Sequence, residues 1–111
     1  MDAPTDQPGP IEFGAPPPGV QAQPVIIQIA AEDIGGARRF AEKTLFPRLT
    51  AKQPVVLDFR SIPILTQSFL HGLLYEPLRL AWALKTPIYV VNVQPAVRSN
   101  LELLQNYALG G

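Results

Sequence analysis

From Val25 onward the apolar residues fall into two patterns. Three runs are short, rich in β-branched residues and almost continuously apolar: VIIQIA at 25–30, QPVVLDF at 53–59 and TPIYVVNV at 86–93. Such runs read as strands covered on both faces. The stretches between and after them carry apolar residues at helical spacing. A first helix is predicted to start after Asp33, a good cap residue, and to run to about Ala51 with Ile34, Ala37, Ala41, Leu45 and Leu49 on one face. Pro47 must kink or shorten it, because proline has no N–H and its ring meets the carbonyl one turn back. A second helix is predicted from about Ser68, as its cap, to Leu84, with Leu70, Leu73, Leu74, Leu78 and Ala81 inward and a bend at Pro77. In a third, Pro95 occupies the tolerant first turn, Val97, Leu101, Leu104 and Ala108 share a face, and Gly110 and Gly111 end it.

The order is β-α-β-α-β-α. It calls for right-handed crossovers and a small, mostly parallel sheet, an α/β domain with helices mainly on one face.

Residues 1–24 differ from the rest. Seven of the thirteen prolines lie there, among Gly, Ala, Gln and Asp. A segment of this kind buries too little to offset its ordering entropy, so it is expected to be a disordered, Pro-rich tail ahead of a domain spanning 25–111. It is also expected to be dispensable for folding. IEFG at 11–14 is its only strand-like part; a PxxP ligand is the alternative use of the prolines.

The composition adds exclusions. A hydrophobic fraction of 47% and a charged fraction of 16% leave apolar surface that a partner or a second copy can cover. Nine basic and nine acidic residues cancel. With Asp2, Asp6 and Glu12 set apart, the domain's basic excess is too weak to argue for nucleic acid. The absence of cysteine excludes disulfides, thiolate catalysis and cysteine-ligated metals, and fits a reducing compartment. The start has neither the basic nor the apolar region of a signal peptide, and no run is long enough for a membrane span. A cytoplasmic location is expected.

Candidate chemistry is sparse. The turn AEDIGGARR sets Gly35, Gly36, Arg38 and Arg39 at a helix start, where an anion or nucleotide could sit. It lacks the G-x-G-x-x-G spacing, and an unstrained helix start explains the glycines equally. Ser68 and His71, three apart, suggest a Ser–His dyad, but the single histidine has no evident acid to orient it. One His with scattered carboxylates makes no metal site, and no cofactor is implied. Asp58 ends the middle strand, where α/β sheets place functional groups and where acids also accept backbone hydrogen bonds from the following loop. No catalytic residue is assigned.

The stretch VVLDFRSIPILTQSFLHGLLYEPLRLAWALKTPIYVVNVQPAVRSNLEL resembles the core of a STAS domain, the fold of bacterial anti-sigma factor antagonists, and within it a STAS-like family of unassigned function. The resemblance covers roughly residues 25–109. Its anchors are the strand VVLDF, the loop-to-helix segment TQSF and the strand-plus-helix VVNVQPAVRSNLEL. Where Thr66, Gln67, Ser68 and Phe69 stand, the family commonly reads Asp-Ser-Ser-Gly, and the serine phosphorylated by a partner kinase falls on Ser68. Thr66 replaces the acid and Phe69 the glycine. The resemblance implies a non-enzymatic regulatory module that binds a protein, of the histidine-kinase-like ATPase or anti-sigma factor class, through Thr66, Gln67, Ser68, Phe69 and His71, with Ser68 as a phosphorylation switch and Asp58 in support. A small ligand- or nucleotide-binding domain using Gly35–Arg39 is the alternative.

Overall fold

The computed structural model describes residues 9–30, 32–62 and 64–110. Four strands, β1 (Ile11–Phe13), β2 (Pro24–Ile26), β3 (Val55–Asp58) and β4 (Ile88–Val91), form one sheet in the order β1-β4-β3-β2, every pairing parallel. Three helices follow β2, β3 and β4 in turn. The first, α1, is α-helical over Ile34–Phe40, π-helical over Ala41–Leu45 and α-helical again over Phe46–Thr50. Gln67–Leu84 forms α2 and Pro95–Gly110 forms α3.

Alternation along the strands divides the sheet into two faces. Ile11, Val55 and Ile88 share one row, Leu57 and Val90 the next, and all five belong to the core beneath the helices. The helices lie on one face, because α2 packs against both α1 and α3 and helices on opposite faces would be separated by the sheet. Steps from β2 to β3 to β4 move in one direction, so right-handed crossovers put every helix on the same side.

The strand at 11–13 corrects the expected domain boundary at residue 25. Residues 1–8 of the expected tail lie outside the described residues, but residues 9–24 belong to the fold. β1 pairs with β4 in the register Ile11↔Ile88, and Ile11 is buried in the core. From β1 to β2 the chain steps back across the whole sheet, and the same handedness rule sends that crossover, residues 14–23, over the face without helices. Val56 and Tyr89 point to that face and are nonetheless buried, while Pro16, Val20 and Ala22 of the crossover are half-buried. The Pro-rich segment is a strap over the back of the sheet.

In α1, Asp33 caps as expected, its Oδ1 accepting from the Gly36 N–H at 2.8 Å. Ala37, Ala41, Leu45 and Leu49 are all buried at steps of four. In a regular α-helix each such step overshoots one turn by about 40°, so four in a row would spiral off the sheet. The wider π turn takes up the drift just before Pro47, and the helix continues instead of stopping. Ile34, expected on that buried face, is exposed. At the end of α2, Lys85 adopts a left-handed φ of 56°, its N–H donating to the Trp82 carbonyl and the Thr86 N–H to that of Ala81. This closure more often uses glycine.

Candidate functional site

The start of α2 sets the geometry. Thr66, in extended conformation, is its N-cap: its hydroxyl accepts from the Phe69 N–H at 3.1 Å, and the Leu70 N–H donates to its carbonyl. The cap is therefore two residues ahead of the predicted one. Ser68 stands in the first turn with its side chain exposed. Gln67 ties the turn to α3, its amide nitrogen donating to Asn100 Oδ1 at 3.0 Å, and Asn100 in turn reaches the Leu65 carbonyl at 3.4 Å.

Phe69 is fully buried, 0% exposed, among the large core side chains. That removes it from any contact surface. An aromatic ring at the third helical position follows the inward face set by Leu70 and Leu73, and burying it is worth more than displaying it. At the position where the resemblance would set glycine, this chain carries a core residue.

The exposed neighbours of Phe69 do come together. Gln67, Ser68, His71 and Gly72 of α2 form the floor of an 880 Å³ groove whose walls are Ile34 and Arg38 of α1 and Leu103 and Tyr107 of α3. Gly72 lets α1 close in: a Cβ there would lie 3.2 Å from Ile34 Cγ2 and 3.4 Å from the Ile34 carbonyl oxygen. With Ser68 one turn earlier, the floor is low. Apart from Arg38 the walls are largely apolar and solvent-facing, Leu103 being 59% and Tyr107 64% exposed. The His71 ring stacks on Tyr75 at 4.4 Å between centroids, and Tyr107 lies 5.7 Å from Tyr75, extending the groove with an aromatic cluster.

The structure thus brings residues from the two sequence-predicted sites onto one surface. Arg38, assigned to an anion site, lines the same groove as Gln67, Ser68 and His71. Gly35, Gly36 and Arg39 belong to the capped start of α1, where Asp33 already accepts from the Gly36 N–H and lies 4.0 Å from Arg39. An anion at that turn would meet the Asp33 carboxylate. Among the described residues no hydrogen bond joins Ser68 to His71, and no three His, Asp or Glu side chains converge as metal ligands.

Asp58 lies apart from the groove, at the C-terminal edge of the sheet, and is 1% exposed. Its Oδ2 accepts from Arg60 Nε at 2.8 Å and Nη2 at 2.5 Å, its Oδ1 from the Arg60 backbone N–H at 2.9 Å, and the Asn92 amide donates to both oxygens. Asn92 reaches it from a left-handed φ of 56° just after β4. The Arg60 side-chain hydrogen bonds hold the carboxyl down at about 2 against its desolvation, with Asn92 and the Arg60 N–H acting in the same direction. Fully partnered, Asp58 fixes the loop from β3 toward α2 and joins it to the end of β4.

Leu103, Tyr107, Arg60 and Asn92 were missed in the sequence. Leu103 and Tyr107 had a signal, being large residues four apart and off the inward face of their helix. Arg60 had only its closeness to Asp58.

Comparisons with protein-family models, with curated proteins and with solved structures found no match. Among the described residues no helix is long and apolar enough to cross a membrane.

Proposed function

We propose that the chain is a non-enzymatic regulatory module of the STAS-like kind, which binds a protein partner in the groove between α1, α2 and α3. The observation that carries this reading is the groove itself: exposed Ile34, Leu103 and Tyr107 stand around a low floor of Ser68 and Gly72. Large apolar side chains gathered in one concave patch are the mark of an interaction site, where single exposed ones are not. The sequence resemblance supplies the partner class, a histidine-kinase-like ATPase or an anti-sigma factor. It also supplies the switch: a phosphate on Ser68 would bring about two negative charges to the groove floor and the N-terminal end of α2, which favours anions. The helix tolerates that charge, so the switch acts on the interface and not on the fold.

A nucleotide or small anion held through Arg38 is the second reading, favoured by the place of Arg38 in the groove wall. Capture from the native host separates the two. With wild type, Leu103→Asp, Tyr107→Ala and Ser68→Asp as matched baits, partner binding is expected to fall at least tenfold in each variant, about 1.4 kcal/mol. A partner held equally by all four would remove the groove from consideration, and micromolar ATP or GTP binding lost in Arg38→Ala would establish the second reading.

A further inference from the structure

The two edges of the sheet are treated differently. At the β1 edge, Ile88 N–H donates to the Pro10 carbonyl and Gly14 N–H to that of Val90, so even-numbered residues face β4 and Ile11 faces outward. Its outward N–H is closed by the buried Gln105 side chain, whose Oε1 accepts at 2.9 Å. Glu12, in the middle of that strand, adds a charge. At the β2 edge the Ile27 N–H donates to the Asp58 carbonyl, which turns the N–H and C=O of Ile26 away from the sheet. Ile26 is 39% exposed, and no charged residue occurs between Glu12 and Glu32. Monomeric proteins usually guard an edge with charges or a covering element. Among the described residues only Pro24, at the first strand position, interrupts this edge.

We propose that two copies of the chain pair through β2, antiparallel, about a two-fold axis at Ile26. The outward groups are self-complementary in that register. Ile26 of each copy exchanges both backbone hydrogen bonds with Ile26 of the other, and the same alternation sets the Pro24 carbonyl opposite the Gln28 N–H of the second copy. Pro24 has no N–H to offer, so this register leaves the facing Gln28 carbonyl without its partner, one unmade bond at each end. The two Ile26 side chains fall on the same face, side by side, and bury each other. A formal net charge of zero sets up no repulsion between copies. Among the described residues this is the one unguarded edge of the sheet, so the contact closes at two. This surface is separate from the groove, and the proposal stands without any partner there.

Sedimentation equilibrium of the full chain tests it. A contact this small is expected to be weak, below ~1,200 Å² of buried area, so the apparent mass should rise from the 12.1 kDa of one chain toward twice that value at high micromolar concentration. Ile26→Pro removes only an outward N–H and should abolish the rise while keeping a cooperative melt. Ile26→Lys sets like charges on the axis and should be monomeric at every concentration. Mixed with Ile26→Glu it should form one-to-one pairs again. Wild type that stays monomeric, a dimer unchanged in Ile26→Lys, or assemblies growing past two would each overturn the proposal, and should Ile26→Pro fail to fold, the lysine and glutamate pair decides alone.

Discussion

Gln105 and Ile11 stand 94 positions apart in the chain and share a buried hydrogen bond, the Ile11 N–H donating to Gln105 Oε1 at 2.9 Å. Gly9 makes the contact possible, since a Cβ on it would come within 2.2 Å of the Gln105 side chain. Side chain and strand together hold the N-terminal segment on the domain. Removing residues 1–22 is therefore expected to lower stability by at least 2 kcal/mol, from the lost burial of Ile11 alone at about 1.5 to 3 kcal/mol plus the uncovered edge of β4. Gln105→Ala should cost about 1 to 3 kcal/mol by leaving that N–H unpaired. Urea unfolding of both variants checks this, and a truncated chain as stable as the full one would show that β1 contributes nothing.

The start of α2 separates a capping role from an interface role. Thr66→Ala should destabilise by about 0.5 to 2 kcal/mol, because the Phe69 N–H loses its acceptor. Ser68→Ala should stay within about 0.5 kcal/mol of wild type, and Ser68→Asp should be neutral or slightly stabilising in the first turn. Thermal melts of the three variants provide the measurement.

Phe69→Ala is expected to cost about 3 to 5 kcal/mol, the penalty of a cavity under a fully buried ring. Leu103→Asp and Tyr107→Ala, on the exposed groove wall, should change stability by less than about 1 kcal/mol. Denaturation midpoints compare them directly. A mild Phe69→Ala would mean that the start of α2 is far looser than its packing indicates.

Asp58 makes stability depend on acid. Its folded pKa of about 2 is below the ordinary 3.8, so the native state favours the ionised form. That contribution is fully present above the unfolded value and is lost as pH falls from 3.8 through about 2, where both states become protonated. The shift sets an upper bound of roughly 2 kcal/mol, reduced by the solvent that screens the exposed Arg60. In Asp58→Asn the part of the stability loss in this window that belongs to Asp58 should vanish, leaving a shallower acid limb in pH-dependent unfolding. An acid limb identical to that of wild type would exclude Asp58 as a source of the acid sensitivity.

The helices were legible because their inward faces repeat over many residues: Leu70, Leu73, Leu74, Leu78 and Ala81 are all buried, as are Val97, Leu101, Leu104 and Ala108. Three strands were legible from β-branched runs. β1 showed only as the strand-like IEFG of an expected tail, since Ile11–Phe13 is three residues long and stands among prolines and glycines, and what secures it is Gln105 far along the chain. Local composition carries no trace of so distant a partner. The cap was misplaced because Thr66 and Ser68 are both good N-cap residues and only the backbone decides between them. The groove was half legible. Ser68 and His71 stood out as polar residues at a helix start, whereas its walls depend on how α1 and α3 are set against α2, which no single segment specifies.

The strap of residues 14–23 has a topological meaning. If β1 were moved from the front of the chain to follow α3, every strand pairing would survive. The order would become β-α-β-α-β-α-β, a regular ribbon advancing one strand at a time, and α3 would be the crossover that delivers the last strand beside β4. The strand order is thus a circular rearrangement of that ribbon, and Gly9 already lies against the Gln105 side chain of α3. What the rearrangement adds is a second layer. A regular ribbon would leave Val56 and Tyr89 facing solvent, and the displaced strand, by dragging its connection back across the sheet, gives a one-sided fold a cover for its other side.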